Sequence, residues 1–184
     1  MKSIKTSAHV HLMTEIDVTE IVNFVKANQN SFYEKENFTL TYTPFILMST
    51  IKALKSHPLV NASLINDSIH YHKHINIGLA VSIEDGLMVP TIFNCEEKNF
   101  LGLCRSVNEI ANRTRSNEIT PDELGGSTFS LTNFGVFGIM AGTPIINQPN
   151  VGILGIGSIK KAPVVIESSK GEDAIAIRNI LVAS

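Results

Sequence analysis

From Ala8 to Val18 apolar and polar residues alternate, with Val10, Leu12, Thr14, Ile16 and Val18 on one side, which predicts a strand. Asp17 followed by Glu20 supplies a capping box for a helix carrying Ile21, Val22, Phe24 and Val25. Thr43-Pro44 starts a second helix, with Pro at its first position and a stripe of Phe45, Leu47, Met48, Ile51 and Leu54; His57-Pro58 ends it. Residues 62 to 72 read as two short strands about Asn66-Asp67-Ser68. Residues 75–92 read as two strands joined at Glu84-Asp85-Gly86. They are so rich in Val, Ile and Leu that both faces should be buried. Residues 99 to 116 carry the clearest helical pattern, with Leu103, Val107, Ile110 and Ala111 inward and Arg105, Glu109, Arg113 and Arg115 outward. Thr120-Pro121-Asp122-Glu123 starts a helical turn. Strands at 151–159, 163–167 and 174–183, with a turn over Ser168–Gly171, complete the chain. The fold class is therefore α+β, a mixed β-sheet with helices packed on it.

The segment from Ser127 to Gly157 carries the candidate chemistry. Thr128, Ser130 and Thr132 alternate with Phe129 and Leu131, and the strand breaks at Asn133 into a loop holding Gly135, Gly138 and Gly142. A strand that delivers the Thr132 hydroxyl to a glycine loop can present an oxyanion donor. A strand-end hydroxyl also commonly satisfies a nearby backbone group, and both readings stand at this point. Asn133 reads as a turn residue.

Composition narrows the alternatives. The chain has 184 residues, 43% hydrophobic and 17% charged, with a net charge of −2, which suits a single domain spanning 1–184. That balance offers no basic face for nucleic acid, and no apolar run is long enough for a membrane helix. No signal peptide is visible at the start, and Cys95 and Cys104 do not suggest a disulfide scaffold, so a reducing cytoplasm is expected. His70, His72 and His74 alternate along one strand, where neighbouring side chains stand too far apart to close round one ion easily. An exposed polar face is expected rather than a metal site. Neither cysteine has a histidine at a spacing suited to thiol chemistry.

Three blocks carry a resemblance: SAHVHLMTEIDVTEI (7–21), NIGLAVSIEDGLMVPTI (76–92), and LGGSTFSLTNFG through TPIINQPNVGILGIG (124–157). In this order the chain resembles the catalytic core of the dihydrolipoyl acyltransferases of 2-oxo acid dehydrogenase complexes, which share a two-layer fold with chloramphenicol acetyltransferase. The resemblance implies transfer of an acyl group between dihydrolipoamide and coenzyme A. Coenzyme A and the lipoyl group, the latter on a separate domain, are substrates, and no cofactor is held covalently. It implies a homotrimer with active sites between subunits, a possible larger shell, and dehydrogenase components and lipoyl domains as partners. The compartment would be the cytoplasm, or the mitochondrial matrix in a eukaryote. By motif, Thr132 becomes the catalytic oxyanion donor. Asn133, Gly135, Asp85 and Gly86 become substrate-binding positions.

The family's general base is a histidine in an H-R-x-x-D-G motif near the C-terminus. None of His9, His11, His57, His70, His72 and His74 has Asp four residues on. The strand ending in AIRNILVAS resembles the one that leads into the motif, which is therefore expected roughly half a dozen residues beyond Ser184. The basic segment before the family's first strand is also shortened. Truncation at both ends and inactivity of these 184 residues alone are the expectations. A non-catalytic scaffold unit, or a chloramphenicol-acetyltransferase-like enzyme for a small hydroxylated acceptor, are the rival readings. Arg105, Arg113 and Arg115 read as a solvated helix face, one of which could meet coenzyme A phosphates.

Overall fold

A computed structural model describes residues 2–167 and 171–184. The chain opens with a short helix α1 (Lys2–Thr6), strand β1 (Thr14–Asp17), and helices α2 (Thr19–Glu36) and α3 (Thr43–Ser56). Two short ribbons follow. In the first, β2 (Ala62–Ile65) pairs with β3 (Ser68–Tyr71); then come β4 (Ile77–Leu79), β5 (Val81–Ile83), β6 (Gly86–Met88) and β7 (Thr91–Ile92). Helix α4 (Phe100–Arg115) precedes β8 (Phe129–Asn133), β9 (Ile153–Ile156), β10 (Lys160–Glu167) and β11 (Asp173–Ala183).

The main sheet runs β1-β11-β9-β8-β4-β7, with β10 on β11. At its centre β4, β8 and β9 are parallel, and the remaining pairings are antiparallel, so the expected mixed sheet is present. Side chains of α2, α3 and α4, among them Val22, Leu47, Ile51, Leu103 and Ile110, pack in one continuous core with Ile77, Leu79, Leu131 and Ile156 of the sheet. Leu47, Ile77, Leu103 and Leu131 are wholly buried. Truncating any of them to Ala would cost about 2–5 kcal/mol.

Local chemistry explains the helix ends. Pro44 sits in the first turn of α3, and Asn99 caps α4 by accepting the Gly102 amide at 2.8 Å. Thr120 and Glu123 form a reciprocal capping box on the turn Pro121–Leu124. Asn66 and Asp67 both take positive φ, 50° and 59°, as a tight two-residue hairpin turn requires.

Four expectations need correction. The strand placed over residues 8–18 is only Thr14–Asp17, all four residues exposed. Thr14 already faces Ala183, where β11 stops, so the residues before it have no partner among the described strands. The Asp17–Glu20 box is replaced by a cap one residue later. Val18 is the N-cap, and Asp17 Oδ1 accepts the Thr19 amide at 2.9 Å. Residues 75–92 form four strands rather than two. Only β4 and β7 are buried on both faces; β5 and β6 leave the sheet as a separate hairpin with Ser82 and Leu87 exposed. Met48 of the α3 stripe is exposed at 38%. The turn expected over Ser168–Gly171 lies largely outside the described residues. No helix among the described residues is long and apolar enough to cross a membrane.

Candidate functional site

Strand β8 alternates between two buried environments. Phe129 and Leu131 enter the apolar core, whereas Thr128 and Ser130 enter a hydrogen-bonded polar layer. There Thr128 Oγ1 donates to Asn61 Oδ1 at 2.6 Å, and Asn150 Nδ2 donates to Ser130 Oγ at 2.9 Å. Thr132 is the next residue on the polar side. It is half-buried, lies opposite Gly155 in the β8–β9 ladder, and its hydroxyl has no hydrogen-bond partner among the described residues. The ordinary duty of a strand-end hydroxyl, satisfying nearby backbone, is thus not what Thr132 performs.

Beyond it the backbone folds back on β9. Asn133 Oδ1 accepts the Gly135 amide at 3.1 Å, the turn role expected of it, and a short 3-10 turn covers Gly135–Phe137. Phe134 N–H donates to Ile156 O at 3.1 Å, and Ser158 N–H donates to Ile139 O at 2.8 Å, so the loop is tied to the strand at both ends. Gly135 is required by this approach, since a Cβ there would collide with the Gly157 carbonyl.

A cavity of about 640 Å³ opens beside this corner. Its body is apolar, with Val25, Leu40, Leu79, Val81 and Val107; Ser82, Asn108, Asn112, Asn133 and Arg115 supply polar groups. No carboxylate is among its lining side chains. Leu79 and Asn133 place the cavity at the carboxyl ends of parallel β4 and β8. The structure therefore gathers Thr132, Asn133 and Gly135 at one end of β8, with Asn133 in the cavity wall. It sets Asp85 and Gly86 apart, at the exposed tip of the β5–β6 hairpin, where Gly86 has φ 149°. The root of that hairpin, Val81 and Ser82, lines the cavity; its tip does not.

The ionisable groups sort cleanly. Arg105 pairs with Glu36 at 2.7 Å, Arg178 lies 3.7 Å from Asp17, and Arg113 grips both oxygens of Glu123 at 2.6 and 2.8 Å. The Arg113 fork, with the Thr120 amide and hydroxyl, holds the Glu123 carboxyl at about 2. Arg115 has no such partner among the described residues and stands in the cavity wall. Burial pushes the thiols of Cys95 and Cys104 up to about 11. Among the described residues no histidine lines the cavity.

His9, His72 and His74 are engaged by the scaffold. His9 Nδ1 meets Ser7 O at 3.0 Å, and its Nε2 accepts the Ile146 amide at 3.1 Å. His70, His72 and His74 do not converge: His72 Nε2 meets Ser63 Oγ at 2.7 Å, His74 Nδ1 meets Glu96 at 2.7 Å, and His70 is exposed. His74, Glu96 and Glu97 bring ligand-type atoms within 4.8 Å of one another. Glu96 is already committed there to His74 and the Ile75 amide.

Sequence reasoning missed Ser82, Asn108 and Asn112. The signal for the last two was a spacing, since Asn108, Asn112 and Arg115 fall at i, i+4 and i+7 and so share one side of α4.

Comparison with known proteins assigns the chain and its fold to a class. The family described as 2-oxoacid dehydrogenases acyltransferase (catalytic domain) matches residues 1–184, and the chain belongs to it. It is 37% identical over 183 residues to the dihydrolipoyllysine-residue acetyltransferase component of the pyruvate dehydrogenase complex of Corynebacterium glutamicum, covering 98% of this chain and 27% of that protein. It is 36% identical over 169 residues to the dihydrolipoyllysine-residue succinyltransferase component of the 2-oxoglutarate dehydrogenase complex of Bacillus subtilis, covering 92% and 40%. The chain thus spans well under half the length of these curated relatives.

Among solved structures, the dihydrolipoamide acetyltransferase of Azotobacter vinelandii matches with a TM-score of 0.91 and 33% identity over 99% of this chain and 73% of that one. The roles of a serine, a histidine and an asparagine in that enzyme's catalytic mechanism were investigated crystallographically and enzymatically. A chloramphenicol acetyltransferase matches with a TM-score of 0.55 at 14% identity over 94% of this chain and 75% of that one, which shows the shared fold.

Proposed function

We propose that this chain is the acyl-transfer core of a 2-oxo acid dehydrogenase-type complex, moving an acyl group between dihydrolipoamide and coenzyme A. The observation that carries this reading is the Thr132 hydroxyl, half-buried at the end of β8, unengaged within the described residues, and next to a wall residue of the 640 Å³ cavity. In the forward direction a histidine base takes the proton of the coenzyme A thiol, and the thiolate attacks the thioester carbonyl. The Thr132 hydroxyl donates to the developing oxyanion, whose collapse expels the dihydrolipoyl thiolate, reprotonated by the same base. Asn133 and Gly135 shape the loop beyond the donor, whereas Asp85 and Gly86, at the exposed hairpin tip, have no part in the cavity.

That base is the histidine of the H-R-x-x-D-G segment expected beyond Ser184. Such sites lie between subunits, and the exposed apolar side chains support association. Ile175, Ile177 and Val165 of the β10–β11 ribbon are 79%, 72% and 68% exposed, an arrangement suited to burial against other copies in a trimer. Lipoyl domains and dehydrogenase components are the further partners, in a cytoplasmic or matrix setting. Similarity to both an acetyltransferase and a succinyltransferase, at 37% and 36% identity, leaves the acyl group open among the family's substrates.

The test is acyl transfer to coenzyme A from acetyl-, succinyl- and branched-chain acyl-dihydrolipoamide. The protein is compared with and without the histidine segment. The longer form should transfer at least one acyl group, and these 184 residues alone should be about 10²–10⁴-fold slower. A folded, oligomeric longer form that transfers none of the three overturns the reading. It would leave the scaffold alternative, which the absence of any histidine from the cavity wall among the described residues favours.

A further inference from the structure

We propose that His9 is a positioning residue for acyl transfer. With Ser3 it clasps Ile146, holds in place the loop that backs Thr132, and releases that loop when the imidazole takes up a second proton. The inference rests on the acyl-transfer reading and adds to it a control that lies outside the cavity.

Ile146 is held at both of its backbone groups. Ser3 Oγ donates to Ile146 O at 2.7 Å, and Ile146 N–H donates to His9 Nε2 at 3.1 Å. The two side chains stand 143 and 137 positions earlier in the chain, so the clasp joins its beginning to the loop that follows β8.

Little else holds either side. Residues 8–13 belong to no strand or helix, and among the described residues the Ile146 contact is their only hydrogen bond beyond their own segment. Val10 and Leu12 beside it are 84% and 79% exposed. Residues 140–146 likewise have no regular structure, and their only hydrogen bonds among the described residues are the two at Ile146. A segment fixed by so few bonds opens locally when one is lost.

The loop in turn backs the candidate oxyanion corner. Gly142 lies against the Phe134 ring, where a Cβ would come within 3.1 Å of it. The same ring lies over Gly155, 2.8 Å from the place of its missing Cβ, and Gly155 stands opposite Thr132 in the β8–β9 ladder. Release of the loop therefore frees a ring two residues from the donor.

The chemistry of the clasp gives it a direction with pH. A backbone amide only donates and a carbonyl only accepts, so His9 makes its bonds to Ile146 N–H and Ser7 O together only while Nε2 is unprotonated. A proton there would set N–H against N–H. The clasp is thus closed with neutral imidazole and is lost as pH falls through the range in which imidazoles charge, about 5–8. Few ionisable groups face the ring. Residues 134–159 contain none, its own segment offers His11 with ring centroids 6.3 Å apart, and α1 offers the exposed Lys5. His9 is in no ion pair among the described residues.

The experiment uses the full-length protein with its histidine segment and compares wild type, His9→Gln, His9→Ala and His11→Gln. Amide-exchange protection across residues 140–146, at about pH 8 and about pH 5.5, reads the loop independently of activity. Wild type should lose about tenfold in protection at the lower pH, the scale of one hydrogen bond. His9→Gln should lose none, because its Oε1 can accept from Ile146 and does not titrate. His9→Ala should be unprotected at both, and His11→Gln should follow wild type. At the higher pH, His9→Ala should lower kcat about tenfold with KM unchanged, less than the roughly 10²-fold of an ångström's misplacement, and His9→Gln should restore most of that rate. Wild-type protection that is equal at both pH values, or a His9→Gln variant that loses it as wild type does, overturns the proposal. So does a His9→Ala variant with wild-type kcat, while transfer by wild type keeps the acyl-transfer reading. Should His9→Ala fail to fold, the pH response of His9→Gln decides. A wild type with pH-dependent protection that transfers no acyl group refutes the acyl-transfer reading and retains the clasp.

Discussion

Thr132 and Gly155 stand opposite one another in the parallel β8–β9 ladder, and the position of Gly155 has no room for a side chain. A Cβ there would meet the Phe134 ring at 2.8 Å and Ser184 Oγ at 2.5 Å. Gly155→Ala must therefore push Phe134, two residues after the candidate donor. The expected cost is about 1–3 kcal/mol of overpacking, together with a fall in kcat for acyl transfer as Thr132 shifts. Denaturant unfolding beside a kinetic assay checks both, and unchanged values in each would show that the contact relaxes freely.

The Arg113–Glu123 fork makes a pH-dependent contribution of definite sign. The folded carboxyl of Glu123 sits at about 2 against an ordinary 4.5. A lowered folded value means that the stabilisation is fully present above about 4.5 and is lost as pH falls from there through about 2. Glu123→Gln should therefore be less stable than wild type at pH 7, with the two melting curves converging as pH falls toward 2. The effect is small, because both partners are partly solvated. A gap that stays constant from pH 7 to pH 2 would assign the loss to something other than this ion pair.

What the sequence disclosed, and what it hid, follows from how local each determinant is. Asn66-Asp67 and the Thr120–Glu123 box act within four residues and appear in the structure as read, and Thr43-Pro44 does start a helix, although Tyr42 is its N-cap and Pro44 falls at its second position. Thr132 was legible as a strand-end hydroxyl, yet its freedom from backbone partners is set by β4 and β9, far along the chain. The alternation before Thr14 misled because a strand needs a neighbour, and β11 provides one only from Ala183 backwards. The cavity was not legible at all. Its walls come from Val25 through Phe137, on α2, α3, α4, β4, β5, β8 and the segments between them, and no periodicity links them.

Asn99 provides a separable test of helix α4, which forms the cavity's polar wall. Its side chain accepts the Gly102 amide, one of the unpaired donors of the first turn. Asn99→Ala should cost about 1 kcal/mol, whereas Asn99→Asp or Asn99→Ser should retain most of the cap. Urea midpoints at constant slope measure this, and an Ala variant as stable as wild type would show that water replaces the cap without loss.

Cys104 lines the cavity but is only 2% exposed, Cys95 is wholly buried, and burial raises both thiols to about 11. At pH 8 only about one thiol in a thousand would be ionised, and the thiolate is the reactive form. Neither residue should react with an alkylating reagent in the native protein, while both should label in denaturant. Stoichiometric labelling of native protein would show that the cavity opens further than its walls indicate.

Substitution of Thr132 separates chemistry from stability. Its hydroxyl has no hydrogen-bond partner among the described residues, so removing it breaks no observed internal bond. Thr132→Ala should leave the melting temperature within a degree or two of wild type, the scale of a surface-like change of about 0.5 kcal/mol. The same substitution, in protein carrying the histidine segment, should lower kcat by about 10²–10³, the loss of one oxyanion donor. Thr132→Ser, which keeps the donor on a less restrained side chain, should recover most of that rate. A variant that loses activity and stability together would make Thr132 a structural residue. One that loses neither would remove it from the mechanism, and the donor would then have to be sought among the backbone amides of the loop from Asn133 to Gly138.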